Sequence, residues 1–210
     1  MREITFPCGE LSLEGICHSP EGEGPFAAVV VCHPHPLYGG SMSNNVVLAV
    51  CQALAQQSIL ALRFNFRGVG GSQGELADEA TGQEDVRAAL SYVASVEDVE
   101  RGRIGLCGYS FGAGVAVTGA ASEEQVRAVA VVSPPLQPSV VQGLKGCVKP
   151  RLLIGGSEDR FIPAEELLRL VEELPPPKDH ESVSGADHFW WGYEGEAASR
   201  VAAFFAAALS

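Results

Sequence analysis

The sequence predicts the α/β class: a mainly parallel sheet with helices on both faces and an antiparallel hairpin at its N-terminal edge. Three observations carry this. Mostly apolar runs recur at 27–32, 59–64, 127–132 and 151–154, without the polar alternation of a half-exposed sheet, as strands covered on both faces require. Helix-length segments separate most of these runs, and strands alternating with helices pair in parallel through crossovers. Finally, the apolar segment Arg103–Cys107 leads into Gly108-Tyr109-Ser110-Phe111-Gly112, and the small-residue segment Ala113–Val117 leads out, which is the pattern of a strand turning sharply into a helix.

The elements follow in order. Residues 3–7 and 11–18 read as two strands around the Gly9-Glu10 turn. Ser19–Pro25 is a Pro/Gly/Glu loop, and Ala27–Cys32 is the first buried strand. Ser41–Gln57 is expected to be a helix, with apolar residues at 46, 47, 50, 51 and 54 and a capping serine at 41 or 43. Ile59–Phe64 is the next strand. Thr81–Ala94 reads as a helix with Thr81-Gly82-Gln83-Glu84 as its capping box. The 103–107 strand, the turn at Ser110 and a helix to about Ala121 come next. Arg127–Val132 and Arg151–Ile154 are strands, joined by a short proline-rich link over 133–150 that leaves little room for a lid. Pro163–Leu174 is a helix with proline in its first turn, Asp179–Val183 a last strand and Glu194–Leu209 a last helix. No repeat or linker interrupts residues 1–210, so one domain is expected.

Composition narrows the function classes. The chain has 210 residues and a net charge of −12, which argues against nucleic acid or anionic membrane as a partner. Met1-Arg2-Glu3-Ile4-Thr5 lacks the apolar core of a secretory leader, and no run approaches the ~20 apolar residues of a membrane span. A cytoplasmic location is expected. The six cysteines lack C-x-x-C spacing and read as reduced, buried thiols; Cys8 and Cys17 are the one pair placed to face each other across the hairpin.

The chemistry starts at Ser110. A serine needs a base to take its proton and a third group to orient that base. In parallel sheets functional groups gather at the C-terminal ends of strands. Asp159 follows the 151–154 strand in Gly155-Gly156-Ser157-Glu158-Asp159, and His188 follows the last strand in Gly185-Ala186-Asp187-His188-Phe189. Ser110, Asp159 and His188 therefore occur in the order serine, acid, histidine, each at the end of its own strand. His18, His33 and His35 precede Ser110 and lack that order, and His180 starts the last strand rather than following it. Glu158 and Asp187 are rival acids: the first is offset by one residue, and the second abuts the histidine it would have to orient.

The amide of Phe111, at the start of a helix, is free to bind a developing oxyanion. A second donor belongs in His33-Pro34-His35-Pro36-Leu37-Tyr38-Gly39-Gly40, after the first long parallel strand. Pro34 and Pro36 have no N–H, so the His35 amide is the candidate, with Leu37 second. No acidic or cysteine partner stands at ligand spacing from His33 and His35, so no metal is expected. The glycine-rich run 63–72 lacks the features of a phosphate loop or a dinucleotide fingerprint, so no nucleotide is expected, and Arg67 should pair locally. Leu37, Tyr38, Tyr109 and Trp190 are candidate pocket residues. The plainer reading of Trp190 and Trp191 is packing of the last helix on the sheet.

With G-Y-S-F-G at 108–112, the Asp159 and His188 loops and N-F-R-G-V-G-G-S at 65–72, the whole chain resembles an α/β-hydrolase. More narrowly, H-P-H-P-L-Y-G-G-S-M-S-N at 33–44 with R-F-N-F-R-G-V-G-G-S at 63–72 resembles small, lidless bacterial hydrolases of the dienelactone-hydrolase-like group. The resemblance implies an eight-stranded sheet, a serine acyl-enzyme, no large cap and no cofactor. Two residues depart from it. Dienelactone hydrolases proper use a cysteine nucleophile where this chain has Ser110, and many α/β-hydrolases carry aspartate where it has Asn65. The expected activity is hydrolysis of small to medium carboxylic esters, with a small-molecule ester as substrate and no nucleic-acid or membrane partner. An amidase or peptidase with the same three residues is the alternative, and a non-catalytic binding protein on this fold the more distant one.

Overall fold

A computed structural model describes residues 1–76 and 78–210, with Glu79 described by its backbone. The elements are β1 (Arg2–Cys8), β2 (Leu11–His18), β3 (Phe26–Cys32), α1 (Asn45–Gln56), β4 (Ile59–Phe64), α2 (Glu79–Ser95), β5 (Val99–Tyr109), α3 (Phe111–Ser122), β6 (Val126–Val132), α4 (Pro138–Gly146), β7 (Arg151–Gly156), α5 (Ala164–Glu173), β8 (Lys178–Val183) and α6 (Glu194–Ala208). The eight strands form one sheet in the order β1-β2-β4-β3-β5-β6-β7-β8. β1 and β2 pair antiparallel, β2 meets β4 antiparallel, and every later pairing is parallel. This is the α/β-hydrolase sheet, with no large cap among the described residues.

Side-chain alternation explains why the central strands look uniformly apolar. In β3, Ala28, Val30 and Cys32 join the core beneath α2, α3, α4 and α5, while Ala27, Val29 and Val31 join the core beneath α1 and α6. Each strand residue thus meets a helix layer whichever way it points. β8 is the exception. Its sequence KDHESV is mostly half-exposed or exposed, and a charged edge strand resists pairing with other chains.

The chain leaves β3 for β4 on one side and returns through α2 to β5 on the other. The C-terminal ends of β3 and β5 therefore flank a point where the winding reverses, and crevices open at such points. Ser110 ends β5 there, opposite the loop after β3.

Several sequence-based expectations are corrected. The cap of α1 is Asn44, whose side chain accepts from the Val46 amide; Ser41 instead accepts from the Ser43 amide in the preceding turn. α2 starts earlier than Thr81, and its capping box is Asp78 with Thr81 rather than Thr81 with Glu84. The 133–150 link contains α4, with Pro138 in its first turn, where a missing N–H costs nothing. Cys8 and Cys17 do not face each other. Cys8 sits opposite Leu11 and Cys17 opposite Arg2, about 20 Å apart along the hairpin at the usual strand rise, and both are free buried thiols.

Candidate active site

The turn at Ser110 is built by close backbone approach. Ser110 has φ 53° and ψ −119°, a left-handed conformation that costs a non-glycine residue about 1–3 kcal/mol. It is held by its own amide donating to Val132 O at 3.0 Å and by its carbonyl accepting from the Ala113 amide at 2.9 Å. A side chain on Gly108 would put its Cβ 2.1 Å from Gly112 O, and one on Gly112 would lie 2.4 Å from Cys32 O and 2.5 Å from His33 O. Both glycines are therefore required by contact, not by φ.

The three sequence-predicted residues meet. Ser110 Oγ lies 3.1 Å from His188 Nε2, and His188 Nδ1 lies 2.8 Å from Asp159 Oδ2. Asp159 follows β7 and His188 follows β8, so adjacent parallel strands deliver both. Asp159 is buried and fully engaged. Its Oδ1 accepts from the Phe161 and Ile162 amides, each at 2.9 Å, and its Oδ2 accepts from Ser133 Oγ as well as from the imidazole. Burial alone would push this carboxyl up, but the bonds from His188, Ile162 and Ser133 outweigh it and hold it below its ordinary value. An ionised carboxylate only accepts, so the proton of the neutral imidazole sits on Nδ1 and Nε2 is left to accept from the serine hydroxyl.

The rival groups are elsewhere. Asp187 Oδ1 accepts from the Phe189 and Trp190 amides and shapes their turn. Glu158 is exposed. His33 is buried, with Nε2 accepting from the Phe66 amide at 3.1 Å and Nδ1 donating to Pro34 O at 2.7 Å, which ties the loops after β3 and β4 together. His18 accepts from Arg63 Nε at 2.9 Å, and His180 lies on the edge strand. Arg67 pairs with Asp85 and Glu84, as local pairing predicted.

The amides expected to bind an oxyanion are placed as follows. Phe111 N is the first of α3 and has no acceptor in its own helix. His35 N meets no acceptor among the described residues, whereas the Leu37 amide donates to His35 Nδ1 at 3.2 Å and is taken. The His35 and Phe111 rings lie 4.7 Å apart, so the two segments touch. Beside them a cavity of about 270 Å³ is lined by Leu37, Val69, Leu76 and Phe111, with Glu75 and Asp78 also on its wall.

The pocket candidates fare unequally. Leu37 lines that cavity. Tyr38 is 90% exposed and stands outside it. Trp190 is wholly buried, because φ 62° at its backbone turns the indole into the core, where Nε1 donates to Ser133 Oγ at 3.1 Å. Tyr109 is buried too, and its hydroxyl donates to the His188 carbonyl at 2.5 Å. Neither is a pocket wall; both brace the site from behind.

Ser133 is the residue that sequence reasoning missed. It is fully buried at the end of β6 with φ 44°, accepts from Trp190 and donates to Asp159 at 2.8 Å. The available signal was its position: a serine ending the strand between those that lead to Ser110 and Asp159.

Among the described residues no helix is long and apolar enough to cross a membrane. Residues 13–202 match the family model described as the dienelactone hydrolase family. An uncharacterized protein of Rickettsia prowazekii is 31% identical over 199 residues, covering 90% of this chain and 82% of its own length. Among solved structures, an alpha-beta serine hydrolase homologue from Coxiella burnetii superposes with a TM-score of 0.88 at 30% identity, covering 96% of both chains. A serine hydrolase without lid from Xanthomonas campestris superposes with a TM-score of 0.85 at 26% identity, covering 97% of this chain and 92% of its own. From the family match and the shared, uncapped sheet it follows that the chain is a hydrolase and belongs to the dienelactone hydrolase family.

Proposed function

We propose that this hydrolase is a serine esterase acting on small to medium carboxylic esters. The observation that carries the reading is the continuous hydrogen-bonded series Ser110 Oγ, His188 and Asp159, at 3.1 and 2.8 Å. His188 Nε2 takes the serine proton as Oγ bonds to the ester carbonyl carbon. The carbonyl oxygen becomes an oxyanion facing the Phe111 and His35 amides. Collapse of this intermediate breaks the acyl C–O bond, and His188 returns the proton to the departing alcohol. Water, deprotonated by the same imidazole, then attacks the acyl-enzyme, releases the acid and restores the serine. Asp159 keeps the proton of neutral His188 on Nδ1 and stabilises the imidazolium of each intermediate.

In this reading the enzyme acts in the cytoplasm on a small molecule, and the net charge of −12 disfavours nucleic-acid and anionic-membrane partners. The test is turnover of chromogenic acetyl and butyryl esters, with an aminoacyl amide alongside, plus labelling by a small organophosphonate. Ester turnover with label on Ser110 supports the reading. Label that persists in Ser110→Ala, or cleavage of the amide in preference to the esters, refutes it.

A further inference from the structure

The esterase reading constrains where the two halves of the substrate lie. His188 can hand its proton to the leaving group only through Nε2, so the departing alcohol oxygen must come within hydrogen-bond reach of that atom. The carbonyl oxygen points the other way, towards Phe111 and His35. The alcohol portion therefore extends on the histidine side of Ser110.

Two phenylalanines from different loops flank the imidazole that must deliver this proton. The Phe161 ring lies 4.9 Å and the Phe189 ring 5.9 Å from the His188 ring, and the two phenyl rings stand edge to face at 6.0 Å. Single exposed apolar residues need no explanation. These two are 68% and 51% exposed, yet they share one recess of about 280 Å³ with the base. They are also held in place. The Phe161 amide donates to Asp159 Oδ1 at 2.9 Å, the Phe189 amide donates to Asp187 Oδ1 at 2.9 Å, and the Phe189 carbonyl accepts from Asn45 Nδ2 at 3.1 Å. The rings thus rest on backbone that the site itself fixes, so little ordering is needed when a ligand arrives.

We infer that this recess is the leaving-alcohol subsite and that it receives an uncharged aromatic alcohol, such as an arylmethanol. A third aromatic ring completes the offset or edge-to-face contacts that Phe161 and Phe189 leave open to solvent. An anionic alcohol is disfavoured, because Glu158 and Asp187 border the recess against the one permanent cation of Arg160. The balanced reaction is aryl-alkyl ester plus water to carboxylic acid plus aromatic alcohol, the acyl C–O bond breaking and the alcohol oxygen taking its proton from His188.

The inference rests on the esterase reading, and one experiment separates the two. Benzyl, cyclohexylmethyl and ethyl butyrate share an acyl group, and none has an activated leaving group. kcat/KM is measured for each with the wild type, Phe161→Ala and Phe189→Ala, and labelling of Ser110 by a small organophosphonate verifies an assembled site in each variant. The wild type should prefer benzyl to ethyl by about tenfold or more, and benzyl to cyclohexylmethyl by severalfold. Each variant should lower the benzyl-to-ethyl ratio by about fivefold. Should a variant fail to label, the corresponding leucine variant is compared in the same way. Ester turnover and labelling without aromatic preference, or variants that leave the ratio unchanged, overturn this inference alone. Neither turnover nor labelling in the wild type overturns the esterase reading, and this one with it.

Discussion

His33 should make the fold sensitive to mild acid. Its ring is fully buried, Nε2 accepts from the Phe66 amide, and Nδ1 donates to Pro34 O. A proton added at Nε2 would turn the one acceptor into a donor aimed at another donor, in a place without solvent. Burial accordingly lowers its pKa from 6.5 to about 4. Between those values the unfolded chain holds a proton that the folded chain refuses, so stability falls as the pH drops through this window and levels off below it. At 1.36 kcal/mol for each pH unit, this one residue removes about 3 kcal/mol between neutral pH and pH 4, a sizeable part of a typical domain's stability. His18, lowered to about 4 by burial and by the neighbouring Arg63, acts in the same direction, so the effect is isolated by substitution. His33→Gln retains an acceptor for the Phe66 amide but has no proton to gain. Urea unfolding at several pH values from 7 to 4 gives the stability of each protein. The variant should start about 1 kcal/mol less stable at pH 7, through its lost second bond, and should lose about 3 kcal/mol less than the wild type on acidification. Equal pH slopes for the two proteins, or an NMR titration of His33 near 6.5, would refute the reasoning.

Three further outcomes are expected. Ser110→Ala and His188→Ala should each lower ester turnover by about 10³-fold or more, and the double variant little further, because the residues act as a unit; Asp159→Asn should lose more than Asp187→Asn, and the reverse order in steady-state rates would move the acid. Ser133→Ala should cost about 1–3 kcal/mol in urea unfolding, because it leaves the buried Trp190 indole N–H unpaired and removes a bond to the Asp159 carboxylate; stability equal to the wild type would contradict the contribution of these bonds. Gly112→Ala should destabilise by about 3 kcal/mol or more or abolish folding, read by thermal unfolding, since its Cβ would lie 2.4 Å from a backbone carbonyl; near-wild-type stability would contradict the contact.

Much of the site was legible because topology does the placing. A parallel sheet brings its strand ends to one edge, so Ser110, Asp159 and His188 could be chosen by their order at strand ends alone. What resisted was decided by backbone turns that the residue types do not announce. Trp190 packs inward, as the plainer reading expects, but the left-handed backbone that sends its indole to Ser133 is not announced by residue type. Ser133 itself has a left-handed turn and a partner 26 residues away, and nothing local in the sequence connects the two. α4 was hidden by prolines that read as breakers, although Pro138 stands in the helical turn that tolerates it. The Cys8–Cys17 pairing fails for a reason already present in the sequence: a two-residue turn at Gly9-Glu10 puts Cys8 opposite Leu11, which leaves Cys17 at the far end of the hairpin.

The seam where Gly112 rests against the carbonyls of Cys32 and His33 has a mechanical consequence. Two loops that meet through bare backbone have no side chain between them to compress or rotate, so the turn after β5 and the loop after β3 move as one part. The amides they carry keep their spacing, so in the proposed reaction the carbonyl would meet a cradle whose shape is already set. The neighbouring cavity is walled by Leu37, Val69 and Leu76, none of which lies in that seam, together with His35 and Phe111, which carry the amides. Replacing Leu37, Val69 or Leu76 should reshape what the cavity admits while leaving the Gly112 seam in place.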